Sequence, residues 1–241
     1  MDQAVAPAQI AEMDCQDGRE MLKSPRFSLL MPTCDRPQFI EEAIGAVLTQ
    51  DFTDWELIIK DGGKWPVRGL MPNDPRIRYS QCGVQWGLNE ALRAARGEIV
   101  GFASDDDVML PGTLSHVDQT IGDAMWLYGQ IRFCPDGNPV GHLMGEPWDY
   151  ERLKHVDIVP APATFFRRSL VGIVGEFDLS LVPSDYDYWL RLGARWEPVY
   201  TERVLVNYRV HRASATAMFG EEMAQQTRMI SERALKGYYA P

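Results

Sequence analysis

The sequence is short of the residues that build metal clusters and covalent scaffolds. It has four cysteines and four histidines in 241 residues. Cys15, Cys34, Cys82 and Cys134 are scattered, with no C-x-x-C pair and no Cys/His cluster at zinc spacing. That excludes a zinc ribbon, disfavours a disulfide framework, and makes a reducing cytoplasm the expected setting. Positive charge is also scarce: 24 Lys+Arg stand against 34 Asp+Glu, a formal net charge of −10. A dedicated nucleic-acid binder needs a basic face, and so does a polybasic membrane anchor. No apolar run approaches the roughly 18 residues that cross a bilayer, and no basic-then-apolar leader follows Met1. A peripheral contact with the inner face of the plasma membrane stays open, as does a homodimer. Neither G-x-G-x-x-G nor G-x-x-x-x-G-K-[ST] occurs, which disfavours a dehydrogenase and a P-loop enzyme.

What is present reads as one large α/β unit. Hydrophobic residues make up 45% and charged residues 24%, ordinary values for a folded domain with a real core. Residues 1–24 are Ala/Gln/Asp-rich and read as a flexible acidic segment or a short docking helix. From Arg26 on, apolar runs alternate with helical spacing. Phe27 to Met31 reads as a strand ending at Pro32. Pro37 opens a helix through Ile40, Ile44 and Val47 to Gln50, and Trp55 to Ile59 is a second strand. Ile77 to Tyr79 is a weak strand, 84–96 a helix stopped by Gly97, and Ile99 to Ala103 another strand. Pro111 opens the next helix. The alternation predicts a doubly wound parallel sheet over residues 26–124. The second half carries a strand at Trp126 to Phe133, a turn at Asp136-Gly137-Asn138 and a helix after Arg168. It continues with a helix from Asp185 to Arg195, a strand at Val204 to Val210 and a helix at 220–236. The two halves are expected to share one sheet, the second closing over the first.

Several carboxylates fall where such sheets bind ligands. Asp105-Asp106-Asp107 directly follows a buried strand, at the carboxyl edge where open α/β sheets take substrates. Adjacent like charges cost free energy unless a cation neutralises them, and hard oxygens suit Mg²⁺ or Mn²⁺ bridging to phosphates. A solvated capping loop is the plain alternative. Asp61 ends a second strand, before Gly62-Gly63. The loop Pro32-Thr33-Cys34-Asp35-Arg36 offers Thr33 and Arg36 to a base or a phosphate. Asp185 and Asp187 open a helix, where both suit its dipole and either could act as a general base. Tyr186, Tyr188 or Trp189 could stack on a sugar. His211 ends the last strand and could reach a metal or a phosphate. Other histidines show no local pattern. Trp86, Trp148 and Trp189 sit near loops or helix starts.

Taken together these segments resemble glycosyltransferase family 2, the inverting nucleotide-sugar transferases of the GT-A fold. The resemblance runs from Pro32-Thr33-Cys34-Asp35-Arg36-Pro37 through Glu56 to Gly63, Gly83 to Val100 with Asn89, and Ser104 to Pro111. It continues through Arg167 to Asp178, Ser184 to Leu192 and Tyr208 to His211. It covers about residues 26–216. It implies an α/β GT-A domain at 25–216, its nucleotide-sugar half at about 25–124 and its acceptor half at about 125–216, with a C-terminal helix in 217–241. By the same resemblance Pro32, Thr33, Arg36, Asp61, Asn89, Asp105 and Asp106 bind the nucleotide sugar, with a UDP-sugar favoured. Asp106 and His211 face Mn²⁺ or Mg²⁺, Asp185 is the base, and Tyr186 and Trp189 meet a glycan or glycolipid acceptor, as in bacterial surface polysaccharide synthesis. Three departures stand out: Ser104 replaces the first Asp of D-x-D, Lys64-Trp65 follow Gly63, and Ser184 replaces a Glu. The spacing to Pro111 favours Asp106 as the metal residue over a register that pairs Asp105 with Asp107. A sugar-phosphate nucleotidyltransferase and a degenerate, non-catalytic binding domain are the rival readings.

Overall fold

The computed structural model describes residues 24–83, 87–135 and 137–240. The expectations for residues 1–23, Trp86 and Asp136 lie outside them. The elements run β1 (Phe27–Thr33), α1 (Pro37–Leu48), β2 (Trp55–Asp61), β3 (Ile77–Gln81), α2 (Leu88–Ala94) and β4 (Ile99–Phe102). They continue β5 (Val108–Met109), α3 (Thr113–Ile121), β6 (Trp126–Pro135), β7 (Leu143–Met144), α4 (Tyr150–Leu153) and β8 (Thr164–Arg167). Then come α5 (Val171–Val174), α6 (Ser184–Gly193), β9 (Val199–Val210), α7 (Ala215–Met218) and α8 (Gly220–Leu235).

One nine-stranded sheet carries both halves, in the order β3-β2-β1-β4-β8-β6-β9-β5, with β7 on β6. The first four strands are parallel. β8 enters antiparallel between β4 and β6 and welds the halves together. β1 and β4 leave their shared position by opposite crossovers, so their carboxyl ends form a switch point, the crevice where such sheets bind ligands.

Burial on both faces explains the unbroken apolar runs of β1 and β4. Phe27, Leu29 and Met31 point to a core under α1 and α3, with Ile40, Ile44, Val47, Leu114 and Val117. Leu30, Val100 and Phe102 point to the other core, under α2, α6 and α8, with Trp126, Phe166 and Trp189. The period of two along each strand thus assigns each residue its layer.

Three boundaries differ from the sequence reading. Helix α2 ends at Ala94, before Gly97, because the next amides are taken elsewhere. Arg96 N donates to Glu56 Oε1 (2.7 Å) and Gly97 N to Ser28 Oγ (2.8 Å). Gly97 is needed for closeness, since a Cβ there would lie 2.6 Å from the backbone nitrogen of Ser28. Helix α3 starts two residues after Pro111, because Gly112 first takes a left-handed turn at φ +74°. The strand expected at Val204 to Val210 begins earlier, at Val199, and pairs in parallel with β6.

Candidate active site

The switch point gathers most of the expected donor-side residues. Thr33 ends β1 and donates its hydroxyl to Asp105 Oδ2 at 2.6 Å. Arg36 reaches the same place: its Nη2 lies 2.7 Å from Asp105 Oδ1 and its Nη1 2.5 Å from Asp106 Oδ2. His211 Nε2 lies 3.0 Å from Asp106 Oδ2. Arg209, to which the sequence reading gave no role, donates its amide to Asp107 Oδ1 (2.9 Å) and its Nε to the Asp106 carbonyl (3.0 Å). Its side chain reaches on to Glu42 of α1. The last strand is thereby tied to the acidic loop at both ends of one residue.

The electrostatics follow from burial. Asp105 is inaccessible to solvent, and burial lifts its carboxyl to about 7 against the pull of Arg36, with the Asp106 charge adding to the lift. Burial also raises Asp107 well above the usual carboxylate range, and the neighbouring Asp106 raises it further. Ser104 bonds to Asp107, so its hydroxyl is already committed inside the loop. A tight backbone supports the group. Asp35 sits at φ +53°, an uncommon conformation for a residue with a side chain, and its Oδ1 accepts from Trp65 N at 2.9 Å. Gly63 packs under it; a Cβ there would approach Asp35 N to 2.8 Å.

Asp61 sits apart from the acidic loop. It is 1% exposed and accepts from Gly63 N, Val67 N and Tyr79 Oη (2.9, 2.9 and 2.7 Å). Its carboxylate shapes the 62–67 loop. Asn89 is likewise spent within the protein, its Nδ2 donating to Phe177 O (2.9 Å) and its Oδ1 accepting from Phe177 N (3.2 Å). With both ends engaged, it pins α2 to the second half and does not face a donor.

Helix α6 separates the two candidate bases. Asp187 is buried and paired to Arg191 at 2.9 Å and to Tyr239 Oη at 2.7 Å. Asp185 accepts from Tyr186 N at 3.0 Å, has no cationic side chain paired to it among the described residues, and lines open space. Burial raises its carboxyl above the ordinary Asp value. The acceptor-stacking expectation for Trp189 fails on burial. Tyr186 gives its hydroxyl to Leu153 O at 2.7 Å, and Trp189 stacks on Trp126 at 5.9 Å between ring centres. Both are inaccessible to bulk solvent; Trp189 lines neither cavity, whereas Tyr186 contributes to the wall of the one that holds Asp157. The helix packs under α8 and against the sheet, so nearly its whole circumference is interior.

Two cavities meet at Asp185. One, of about 250 Å³, is lined by Pro32, Arg36 and the carboxylates of Asp105, Asp106 and Asp107. The other, of about 290 Å³, lies toward β6 and holds Asp157, a residue the sequence reading left unassigned. Their shared wall consists of Ala161, Pro162, Asp185, Tyr208, Thr216 and Met223. No local motif marks Asp157; only the fold brings it to this second cavity.

The sequence and the fold have counterparts among known proteins. The model of glycosyl transferase family 2 matches residues 28–168. The chain belongs to that family. It is 35% identical over 216 residues to the provisionally named colanic acid biosynthesis glycosyl transferase WcaA of Escherichia coli (strain K12), covering 77% of this chain and 74% of that one. It is 33% identical over 125 residues to the GalNAc(5)-diNAcBac-PP-undecaprenol beta-1,3-glucosyltransferase of Campylobacter jejuni. That match spans 47% of this chain and only 40% of the relative's length. Among solved structures, TarS 1-349 of S. aureus in complex with UDP-GlcNAc superposes with a TM-score of 0.70 at 18% identity, over 85% of this chain and 65% of that one. The mannosyltransferase PcManGT of Pyrobaculum calidifontis, in complex with GDP-Man and Mn²⁺, gives 0.65 at 19% identity, over 91% and 67%. The family 2 chain therefore has the GT-A fold. Among its described residues no helix is long and apolar enough to cross a membrane.

Proposed function

We propose that this chain is an inverting, divalent-cation-dependent glycosyltransferase that moves a sugar from a nucleoside diphosphate to a hydroxyl of a glycan or glycolipid. One observation carries the reading: Asp185 stands in the wall between a cavity lined by the acidic loop and a second cavity with no such loop. A base belongs at that boundary, because the reacting oxygen comes from one side and the anomeric carbon from the other. The relatives support the substrate classes. WcaA is named for polysaccharide synthesis, the Campylobacter enzyme for a polyprenyl-linked glycan, and the solved neighbours hold UDP-GlcNAc or GDP-Man.

The residues fit a cation of the Mg²⁺ or Mn²⁺ type. Among the described residues no three His, Cys, Asp or Glu side chains are gathered to hold a metal alone. Asp106 and His211 offer one carboxylate oxygen and one imidazole nitrogen, a set that suits a cation completing its shell with substrate phosphates and water. A bound cation would supply charge stabilisation to the departing diphosphate.

In the reaction, the acceptor oxygen forms a bond to the anomeric carbon as the bond from that carbon to the phosphate oxygen breaks. The breaking bond's electron pair leaves with the nucleoside diphosphate, and the acceptor proton passes to Asp185. The raised Asp185 carboxyl makes a stronger base than a solvated Asp while still ionised when the pH exceeds its value. Thr33 and Arg36 hold the acidic loop, Asp61 holds the 62–67 loop, and Pro32 lines the cavity proposed for the donor. A thermal-shift panel of UDP-glucose, UDP-GlcNAc and GDP-mannose with Mn²⁺ tests the reading. At about 100 times its Kd a true donor stabilises by about 2.7 kcal/mol. Release of a nucleoside diphosphate supports transfer; release of pyrophosphate from a nucleoside triphosphate would instead mark a nucleotidyltransferase.

A further inference from the structure

The mechanism above leaves Asp157 unused, yet it shares the acceptor-side cavity with Asp185. Asp157 lies in the loop after α4. Its Oδ1 accepts from Val159 N at 3.0 Å, which fixes the loop and the direction of the carboxylate. Among the described residues its Oδ2 has no hydrogen-bond partner. The surrounding wall is apolar, with Ile131, Phe133, Met144, Val159 and Met223, and no Lys or Arg lines the cavity. A carboxylate held in such a place without a countercharge lacks donors, and the protein supplies none beyond one amide. Burial raises the Asp157 carboxyl, and the charge of Asp185 raises it further, so the two sense each other across the cavity.

The missing donors define what the cavity takes. A sugar ring brings several hydroxyl donors on its edge and an apolar C–H face, which matches two carboxylates set beside the rings of Phe133 and Tyr208. When both carboxyls are ionised, an anionic ring meets two like charges with no Lys or Arg in the cavity lining to offset them. A lipid tail alone leaves both carboxylates unsatisfied.

We propose that Asp157 is an acceptor-specificity residue: it accepts a hydrogen bond from a second hydroxyl of an uncharged acceptor sugar while Asp185 takes the reacting hydroxyl, and it excludes rings that carry a carboxylate or phosphate. This rests on the transferase reading above and goes beyond it by naming the charge class of the acceptor and the residue that selects it.

The test compares two probes that differ in one group, octyl β-D-glucoside and octyl β-D-glucuronide, below their micelle concentrations. Binding is read by saturation-transfer NMR on the full chain with diamagnetic Mg²⁺ and UDP, at a pH above the raised values of both carboxyls, and needs no turnover. The wild type is expected to bind the glucoside more tightly by at least about tenfold. Asp157→Asn keeps an oxygen for the Val159 amide and removes the charge. It should bring the two probes to within about threefold, with the Kd for UDP and the melting temperature unchanged. Equal binding of both probes by the wild type overturns the proposal. So does saturation by neither probe, or a preference that survives in Asp157→Asn. Failure of the transferase reading shows separately, as absence of binding by every nucleotide sugar in the calorimeter.

Discussion

Arg36→Ala is the most informative single change. The guanidinium lies 2.7 Å from Asp105 and 2.5 Å from Asp106, with side-chain exposures of 12% for Arg36, 0% for Asp105 and 12% for Asp106. Removing one partner of a buried ion pair costs about 3–5 kcal/mol, because the other charge stays buried and unpaired. Two features hold this case to the lower end. Asp105 already titrates at about 7 with Arg36 present, so without it the carboxyl takes a proton near neutral pH instead of carrying an unpaired charge. Asp106 retains His211 at 3.0 Å. We therefore expect a loss of about 3 kcal/mol near pH 8, which for a chain of this size lowers the melting temperature by roughly 6–12 °C. The loss should shrink toward about pH 5.5, where protonation does what Arg36 did. Mn²⁺ should restore more stability to the variant than it adds to the wild type, since the cation then meets carboxylates with no resident countercharge. Differential scanning calorimetry at the two pH values, with and without Mn²⁺, reads all three effects. A variant as stable as the wild type at about pH 8 without cation would refute the reasoning, and a loss that does not depend on pH would refute the proton's part in it.

Other changes separate chemistry from scaffolding. Asp185→Asn should lower turnover by about 10²–10⁴-fold while nucleotide affinity measured by calorimetry stays within about twofold; undiminished turnover would remove Asp185 from the mechanism. The acid limb of the wild-type rate should lie above the ordinary Asp value, since burial raises the Asp185 carboxyl and activity requires it ionised. Trp189→Ala should cost about 3–5 kcal/mol in denaturant unfolding, as expected for an aromatic side chain removed from the core, and a milder Trp189→Phe should leave acceptor KM unmoved. Glu56 is 1% exposed; burial pushes its carboxyl up, but hydrogen bonds from Ser28, Arg78 and Arg96 outweigh this and hold it below 4.5. Its contribution is present above that value and is lost as pH falls through the folded value, so Glu56→Gln should flatten the acid side of the wild-type stability curve.

The sequence showed the parallel half clearly, because strands buried on both faces are unbroken apolar runs and the helices between them keep a clear 3.6 period. The acidic loop was legible for the same reason, as it sits directly after such a run. Pairing with distant elements was not legible. Asp185 and Asp187 are two residues apart with equal claims on a helix start, and only Arg191 and the distant Tyr239 show that Asp187 is structural. Trp189 resembles a ligand-stacking aromatic until the rings of Trp126, Phe102 and Phe166 enclose it. Asn89 bonds to Phe177, 88 positions away, and no local pattern announces that. Asp157 stands alone in its loop, and its meaning comes from the cavity wall it shares.

The antiparallel strand β8 has one more consequence. It hydrogen-bonds to β4 on one side and β6 on the other, so the N-terminal parallel half and the following half are one continuous sheet. The span from the acidic loop to Asp185 is therefore a property of strand register, and rigid-body opening would have to break ladders. Redesign of this enzyme must respect that seam. Grafting a foreign acceptor half would put its strands out of step with β4, whereas new acceptors can be sought by replacing side chains in the cavity wall while the sheet stays as it is.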